Sequence, residues 1–130
     1  MLPLMEHTFT MSLKGADSQR TFTGEFIYKR LNVKNRLECQ KWYAQQIENI
    51  DDDSLMAVYN MLAVLRFGIT KGPDWWDGSD KGLELYDMNV ISYIFEEVMK
   101  FEQKWIDKIK EDSKDVEVRP LEEDNEDENA

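Results

Sequence analysis

The longest regular hydrophobic pattern in the chain lies between positions 87 and 110, where apolar side chains recur every three or four residues. This spacing aligns them along one side of an amphipathic helix. They are Ile91, Ile94, Phe95, Val98, Phe101, Trp105 and Ile109. Asp87 precedes this stripe and is predicted to be the N-cap, because its carboxylate can accept hydrogen bonds from unpaired amides of the first turn. A stripe of this kind needs another surface to cover it.

A two-residue alternation near the beginning of the chain predicts two β-strands. Residues 6–14 alternate apolar with hydroxyl-bearing side chains, and residues 20–30 place aromatic side chains on one face. The inward positions are Phe9, Met11 and Leu13 in the first strand and Phe22, Phe26 and Tyr28 in the second. Gly24 interrupts the second strand and is predicted to mark a bulge. Because an isolated hairpin is marginally stable, we expect it to pack on helices or meet further strands.

Two more helices are predicted between these strands and the last helix. The first spans residues 33–49 and is capped by Asn32. Its predicted buried side consists of Val33, Leu37, Ala44 and Ile47, widened by Trp42 and Tyr43. The second spans residues 55–67, follows a cap supplied by one of residues 51–54, and is apolar nearly all round, which predicts the central core helix. Gly68 is predicted to end it in a left-handed conformation.

These elements predict an α+β domain in which an N-terminal hairpin packs against about three helices. We assign residues 1–112 to this domain and residues 113–130 to an acidic tail, whose low hydrophobicity and high charge predict disorder when alone. Residues 111–130 hold ten of the 27 acidic side chains and two of the 16 basic ones, which accounts for −8 of the net charge of −11. Nucleic acid is not an expected partner, because binding phosphates requires a basic surface.

Few residues carry the groups that catalysis requires, and none is accompanied by an evident partner. His7 lies in a strand without an orienting group, and Cys39 lies in a helix without a thiolate-stabilising neighbour, so both are interpreted as structural. A calcium loop is an alternative interpretation of residues 74–84, but Trp75 and Trp76 occupy positions where an EF-hand needs oxygen ligands. We therefore predict neither an enzyme nor a bound metal or cofactor.

The sequence also carries signals of location. No run approaches the roughly 18 apolar residues that a membrane span requires, so no membrane partner is expected. The first six residues lack the basic flank of a secretory signal, and we expect none. Cys39 is the single cysteine, which suits a reducing cytoplasm.

The adjacent tryptophans at positions 75 and 76 are the strongest sign of a binding surface. Two neighbouring indoles in a loop do not easily face one core, so one interpretation buries one indole and leaves the other exposed as a binding hot spot. The alternative is that both clamp the loop against the fold. The acidic tail also has two interpretations: a solvated extension, or a screen that steers a basic partner and shields an apolar groove.

The order of several short motifs resembles that of tail assembly chaperones from long-tailed bacteriophages. Residues 22–31 resemble their F-x-G-x-F-x-x-R strand, and Pro73-Asp74-Trp75-Trp76 resembles their P-x-W-W loop. Between these motifs the family has an alanine- and leucine-rich helix, as at residues 55–67. After them an acidic residue, here Asp87, opens a last helix. The resemblance covers about residues 8–106 and excludes the tail.

The resemblance implies a protein without catalytic activity that works in the host bacterial cytoplasm. It would bind the helical tape measure protein, keep it soluble and promote polymerisation of tail tube subunits around it. A client helix would lie in an apolar groove, where methionines such as Met88 and Met99 give adaptable walls. The candidate contact residues are Trp75, Trp76, Tyr86, Phe95, Phe101 and Trp105. Self-association through an exposed apolar patch is a further expectation for such a chain.

Two other classes of function stay open. An acidic inhibitor could mimic nucleic acid and block a host nuclease or DNA-binding protein, although a mimic should spread its carboxylates over the folded face rather than a tail. A structural tail or connector protein would remain in the virion. Purified particles distinguish that class from a chaperone, which should be missing from them.

Overall fold

The computed structural model describes residues 5–113, which form three strands and four helices. In chain order these are β1 (Glu6–Lys14), β2 (Thr21–Lys29), α1 (Val33–Ile47), α2 (Asp53–Gly68), β3 (Ile69–Lys71), α3 (Asp74–Gly78) and α4 (Met88–Ser113). The strands form one antiparallel sheet in the order β1-β2-β3 with helices packed on it, so the predicted α+β class is confirmed. Apart from Ser113, the predicted tail lies outside the described residues.

The β1–β2 hairpin has the predicted strands and the predicted inward faces. Its register is unbroken over all nine residues of each strand. The predicted bulge at Gly24 is wrong, since Gly24 pairs regularly with Met11. A Cβ at position 24 would lie 2.6 Å from Pro73 Cβ. Glycine is therefore needed there because the loop before α3 approaches the strand closely.

The third strand is an element that the sequence pattern does not predict, because three residues are too few to show an alternation. It follows α2 directly and pairs antiparallel with β2, with a register shift between Ile27 and Tyr28. The prediction for Gly68 is also wrong, since this residue is the last of α2 and its φ is not positive. Its missing side chain instead makes room for the Tyr28 ring, which a Cβ would overlap.

The core lies between one face of the sheet and the helices α2 and α4. Its buried residues are Phe9, Met11, Phe22, Phe26, Tyr28, Leu62, Leu65, Ile69, Trp76, Val90, Ile91, Ile94 and Val98. The buried residues of α2 all lie between Leu62 and Gly68, and the first half of the helix is half-buried or exposed. The central role predicted for α2 therefore belongs to its C-terminal half.

Helix α1 has the predicted start and the predicted Asn32 cap, but its predicted buried side is wrong. Val33, Leu37 and Ala44 are exposed and Ile47 is half-buried, and no residue of α1 is buried. The helix packs on α2, where the Trp42 and Tyr59 rings meet edge-on at 6.2 Å. Because α2 and α4 already cover the inner face of the sheet, no core surface remains for the apolar stripe of α1.

Asp87 precedes α4 as predicted, but its carboxylate binds the β1–β2 turn instead of capping the helix. Oδ1 accepts hydrogen bonds from the amides of Asp17 and Ser18, both at 2.8 Å, and Oδ2 accepts one from Ser18 Oγ at 2.7 Å. Asn89 accepts a further bond from Ala16 N. A carboxylate only 1% exposed needs several donors, and the turn supplies them. The Ser18 hydroxyl first, and then the turn amides, lower the pKa of Asp87 below its ordinary value of 3.8.

Candidate functional site

The single histidine and the single cysteine of the chain lie in β1 and α1. The His7 ring stacks between Phe9 and Phe101 at centroid distances of 5.5 and 5.0 Å. Cys39 is half-buried on α1, and desolvation raises the pKa of its thiol, so reactive thiolate is scarce at neutral pH. Within residues 5–113, no group of three or more His, Cys, Asp or Glu side chains could hold a metal ion.

Both tryptophans of α3 hold the loop against the fold. Trp76 is 1% exposed and packs edge-on against Phe26 in a slot bounded by Gly82. Gly82 has a φ of 88°, a backbone conformation that other residues rarely adopt. A Cβ at position 82 would also lie 2.7 Å from the Trp76 ring, so both the backbone and the packing require glycine there. Trp75 is half-buried, and its Nε1 donates to the Thr23 carbonyl at 2.8 Å. This arrangement corresponds to the interpretation in which both indoles clamp the loop.

Phe101 and Trp105 pack beside a polar cluster at the end of β2. The carboxylate of Glu102 accepts hydrogen bonds from Tyr28 Oη at 2.7 Å and from Arg30 Nε at 2.9 Å. The Arg30 guanidinium lies 3.7 Å from the centre of the Trp105 ring, and Phe101 meets Tyr28 edge-on. Burial, together with Glu102, raises the pKa of Tyr28, so its hydroxyl remains a donor. These two candidate residues therefore help to anchor α4 on the sheet.

Tyr86 and Phe95 are the candidate residues with the most open surroundings. Tyr86 is 81% exposed just before α4, and it lines a depression of about 350 Å³ together with Trp75. Phe95 is half-buried and lines a separate, shallower depression of about 430 Å³ with Met99. The polar rim of the second depression consists of Glu96, Lys100 and Gln103. The six predicted contact residues thus do not form one continuous surface.

Phe95 belongs to a row of apolar residues along one side of α4. Members of this row are three or four residues apart, so they form a line about 16 Å long. Side chains of α2 lie alongside it and line depressions at both ends. We give the name α4 groove to three separate depressions along this row, which are lined by Met88, Ile91, Phe95 and Met99 of α4 and, at the two ends, by Leu55, Val58 and Val64 of α2. Ile91 is buried at its floor, whereas Met88 is 51% exposed.

The sequence indicated only part of this groove. Phe95 stands in the stripe of the last helix, and Met88 and Met99 are among the methionines expected to give adaptable walls. The α2 residues of the groove were missed because that helix is apolar nearly all round. A pattern without a polar side does not tell which part of a helix stays uncovered.

None of the helices in the described part of the chain is long and apolar enough to cross a membrane. Comparisons of the chain with protein-family models, with curated proteins and with solved structures find no match. The case for a function therefore rests on the geometry of the α4 groove and on the resemblance of the sequence motifs.

Proposed function

We propose that the protein is a non-enzymatic tail assembly chaperone of a long-tailed bacteriophage. It binds the tape measure protein in the host bacterial cytoplasm and promotes assembly of tail tube subunits around it. The observation that carries the proposal is the α4 groove, a row of apolar depressions that residues 5–113 leave uncovered in a single copy. The resemblance of the motifs in residues 8–106 gives the client its identity.

The dimensions of the α4 groove suit an amphipathic client helix. Its length of about 16 Å matches roughly three helical turns, which present anchors at positions i, i+3 or i+4, and i+7. Phe95 offers an aromatic contact in the middle of the groove. Met88 and Met99 stand towards its two ends, and their flexible thioether side chains can adapt to a client whose apolar residues vary in shape.

The surroundings of the groove favour a protein client over a nucleic acid. Glu96 and Lys100 place opposite charges on the same rim, so no continuous basic strip lies beside the apolar floor. A mixed rim of this kind can meet the polar side of an amphipathic helix and fix its direction. The groove is therefore an apolar centre with a polar border, as in other protein interfaces.

Co-expression with the tape measure protein of the same phage, followed by pull-down and titration calorimetry, tests the proposal. We expect Met88→Glu and Phe95→Glu to weaken client binding by about tenfold or more, because each puts a charge into the apolar centre. Val33→Glu is the matched control, since it makes the same change of polarity at a 75% exposed position of α1. Thermal melts establish that all three variants are folded.

Four outcomes contradict the proposal. The unaltered protein does not recover the tape measure protein, or the two groove variants bind it as tightly as Val33→Glu does. Recovery of a host nuclease in its place favours the acidic inhibitor. The protein's presence in purified, complete virions favours a structural component of the tail.

A further inference from the structure

Strand β1 lies at the edge of the sheet and presents backbone groups that have no strand to pair with. Gly15 N donates to Arg20 O, and Arg30 N donates to Met5 O. These two bonds fix the odd-numbered residues of β1 as the ones bonded to β2, so the even-numbered residues direct their amides and carbonyls outward. Between residues 6 and 12, no other described residue pairs with those outward groups, whereas at the end of the strand the Lys14 carbonyl accepts a hydrogen bond from Asn89 Nδ2 at 3.0 Å.

The edge lacks the features by which proteins usually block strand addition. Such features are prolines, bulges, very short strands and charges in the middle of the edge. β1 is nine residues long, contains no proline and keeps an unbroken register with β2. The outward side chains in its middle are the exposed, uncharged Thr8, Thr10 and Ser12. Threonine favours strands, and threonine–threonine and threonine–serine pairs stabilise neighbouring strands.

The charges of β1 are confined to its two ends and have opposite signs. Glu6 and Lys14 are both exposed, and neither forms an ion pair with another residue in the range 5–113. They are equally distant from Thr10, four residues on either side. In an antiparallel pair of two β1 strands centred on Thr10, each Glu6 therefore lies opposite Lys14 of the second copy.

The same register also matches the remaining positions of the strand. On the outer face, Thr10 lies opposite its own copy, and Thr8 lies opposite Ser12 of the second copy. On the inner face, the half-buried His7 and Leu13 lie opposite each other across the pair. Every pair formed in this register is therefore polar with polar, apolar with aromatic or apolar, or acidic with basic.

We propose that two copies of this chain associate through antiparallel pairing of their β1 strands about Thr10, which joins the two three-stranded sheets into one of six strands. The occupant of the edge is a second copy, because the strand is complementary to itself in charge, polarity and length. This contact is separate from the α4 groove and does not depend on the identity of the client.

Two double variants that alter the same positions test this register. Thr8→Glu with Ser12→Glu places like charges opposite each other twice in the dimer, whereas Thr8→Lys with Ser12→Glu places opposite charges there. The residues of β2 directly opposite positions 8 and 12 are Ile27 and Thr23, which are uncharged. Glu25 lies opposite Thr10 and therefore diagonally from both positions within each copy, so its effect on the folding of the two variants is measured separately from dimerisation. Sedimentation velocity measures the dimer dissociation constant, and thermal melts compare the folding of the variants.

We expect the unaltered protein to dimerise, the like-charge variant to be weakened by about tenfold or more, and the opposite-charge variant to dimerise at least as tightly as the unaltered protein. A protein that stays monomeric up to about 1 mM overturns the proposal. So does dimerisation of both variants as tightly as that of the unaltered protein, which would place the contact elsewhere. Weakening of both variants by the same factor contradicts the register about Thr10.

Discussion

Helices α4 and α1 are both amphipathic by sequence, yet only α4 is built into the core. α4 buries Val90, Ile91, Ile94 and Val98, whereas α1 buries no residue and leaves Leu37 60% exposed. The difference lies in the surfaces that the two helices meet. α4 lies on the open face of the hairpin, and α1 meets only the outer side of α2. An apolar stripe therefore predicts that a helix forms, but not that its stripe is buried.

Polar contacts at the start and near the middle of α4 add to this contrast. Asp87, just before α4, binds the β1–β2 turn, and Glu102, in its second half, binds Tyr28 and Arg30. These bonds join residues 69 to 74 positions apart in sequence, so they fix the helix relative to the sheet. α1 has its own local cap at Asn32, which stabilises the helix but not its position.

The largest effect on stability is expected from Trp76→Ala, because Trp76 is the largest of the fully buried side chains among the described residues. We expect a loss of about 3–5 kcal/mol in the free energy of unfolding, because the slot bounded by Gly82 cannot collapse onto the missing ring. Chemical denaturation followed by circular dichroism measures it. Trp75→Ala is the matched control, and a smaller loss is expected because that indole is only half-buried. Equal losses in the two variants would contradict the assignment of Trp76 to the core.

An intermediate effect is expected from Asp87→Asn, with a defined dependence on pH. Folding lowers the pKa of this carboxyl, so its contribution to stability is complete above its ordinary value of 3.8 and is lost as the pH falls through the lower folded value. The melting temperature of the variant should therefore lie below that of the unaltered protein at pH 7. The gap should narrow as the pH falls below about 4.

Asp77→Asn is the control for the Asp87 variant, because Asp77 is an exposed carboxylate outside the hairpin turn. It should leave the melting temperature almost unchanged at pH 7. A gap for Asp87→Asn that stays constant down to pH values near 2 would show that the ionised carboxylate does not hold the turn.

The smallest effect is expected from Leu37→Ala on α1. Because this side chain is 60% exposed, the free energy of unfolding should fall by less than about 0.5 kcal/mol. A leucine buried in the core would lose about 2–5 kcal/mol on the same change. Denaturation curves recorded beside those of Trp76→Ala distinguish the two cases. A loss of about 2–5 kcal/mol in the free energy of unfolding would mean that the apolar stripe of α1 is buried.

Local patterns predicted much of the fold because their causes are local. The alternation in residues 6–14 and 20–30 gave the hairpin, and the helical spacing after Asp87 gave α4. The caps at Asn32 and Asp52 lie at or within the predicted positions. For the candidate site, the sequence indicated Phe95 and the methionines, but the helix that lies beside them could not be identified from its nearly uniform apolar pattern.

The amino-acid sequence by itself determined where β1, β2, α1, α2 and α4 form, because hydrophobic period and capping act over a few neighbouring residues. It did not predict the short elements β3 and α3, and residues 73–76 were expected to be a loop. Only the tertiary structure decided the use of Gly24, Gly68 and Asp87, whose partners are Pro73, Tyr28 and the hairpin turn. It also decided that α4, not α1, has its stripe buried. These outcomes depend on which surfaces meet across tens of residues of chain, and residues of α2, α3 and α4 already cover the inner face of the sheet.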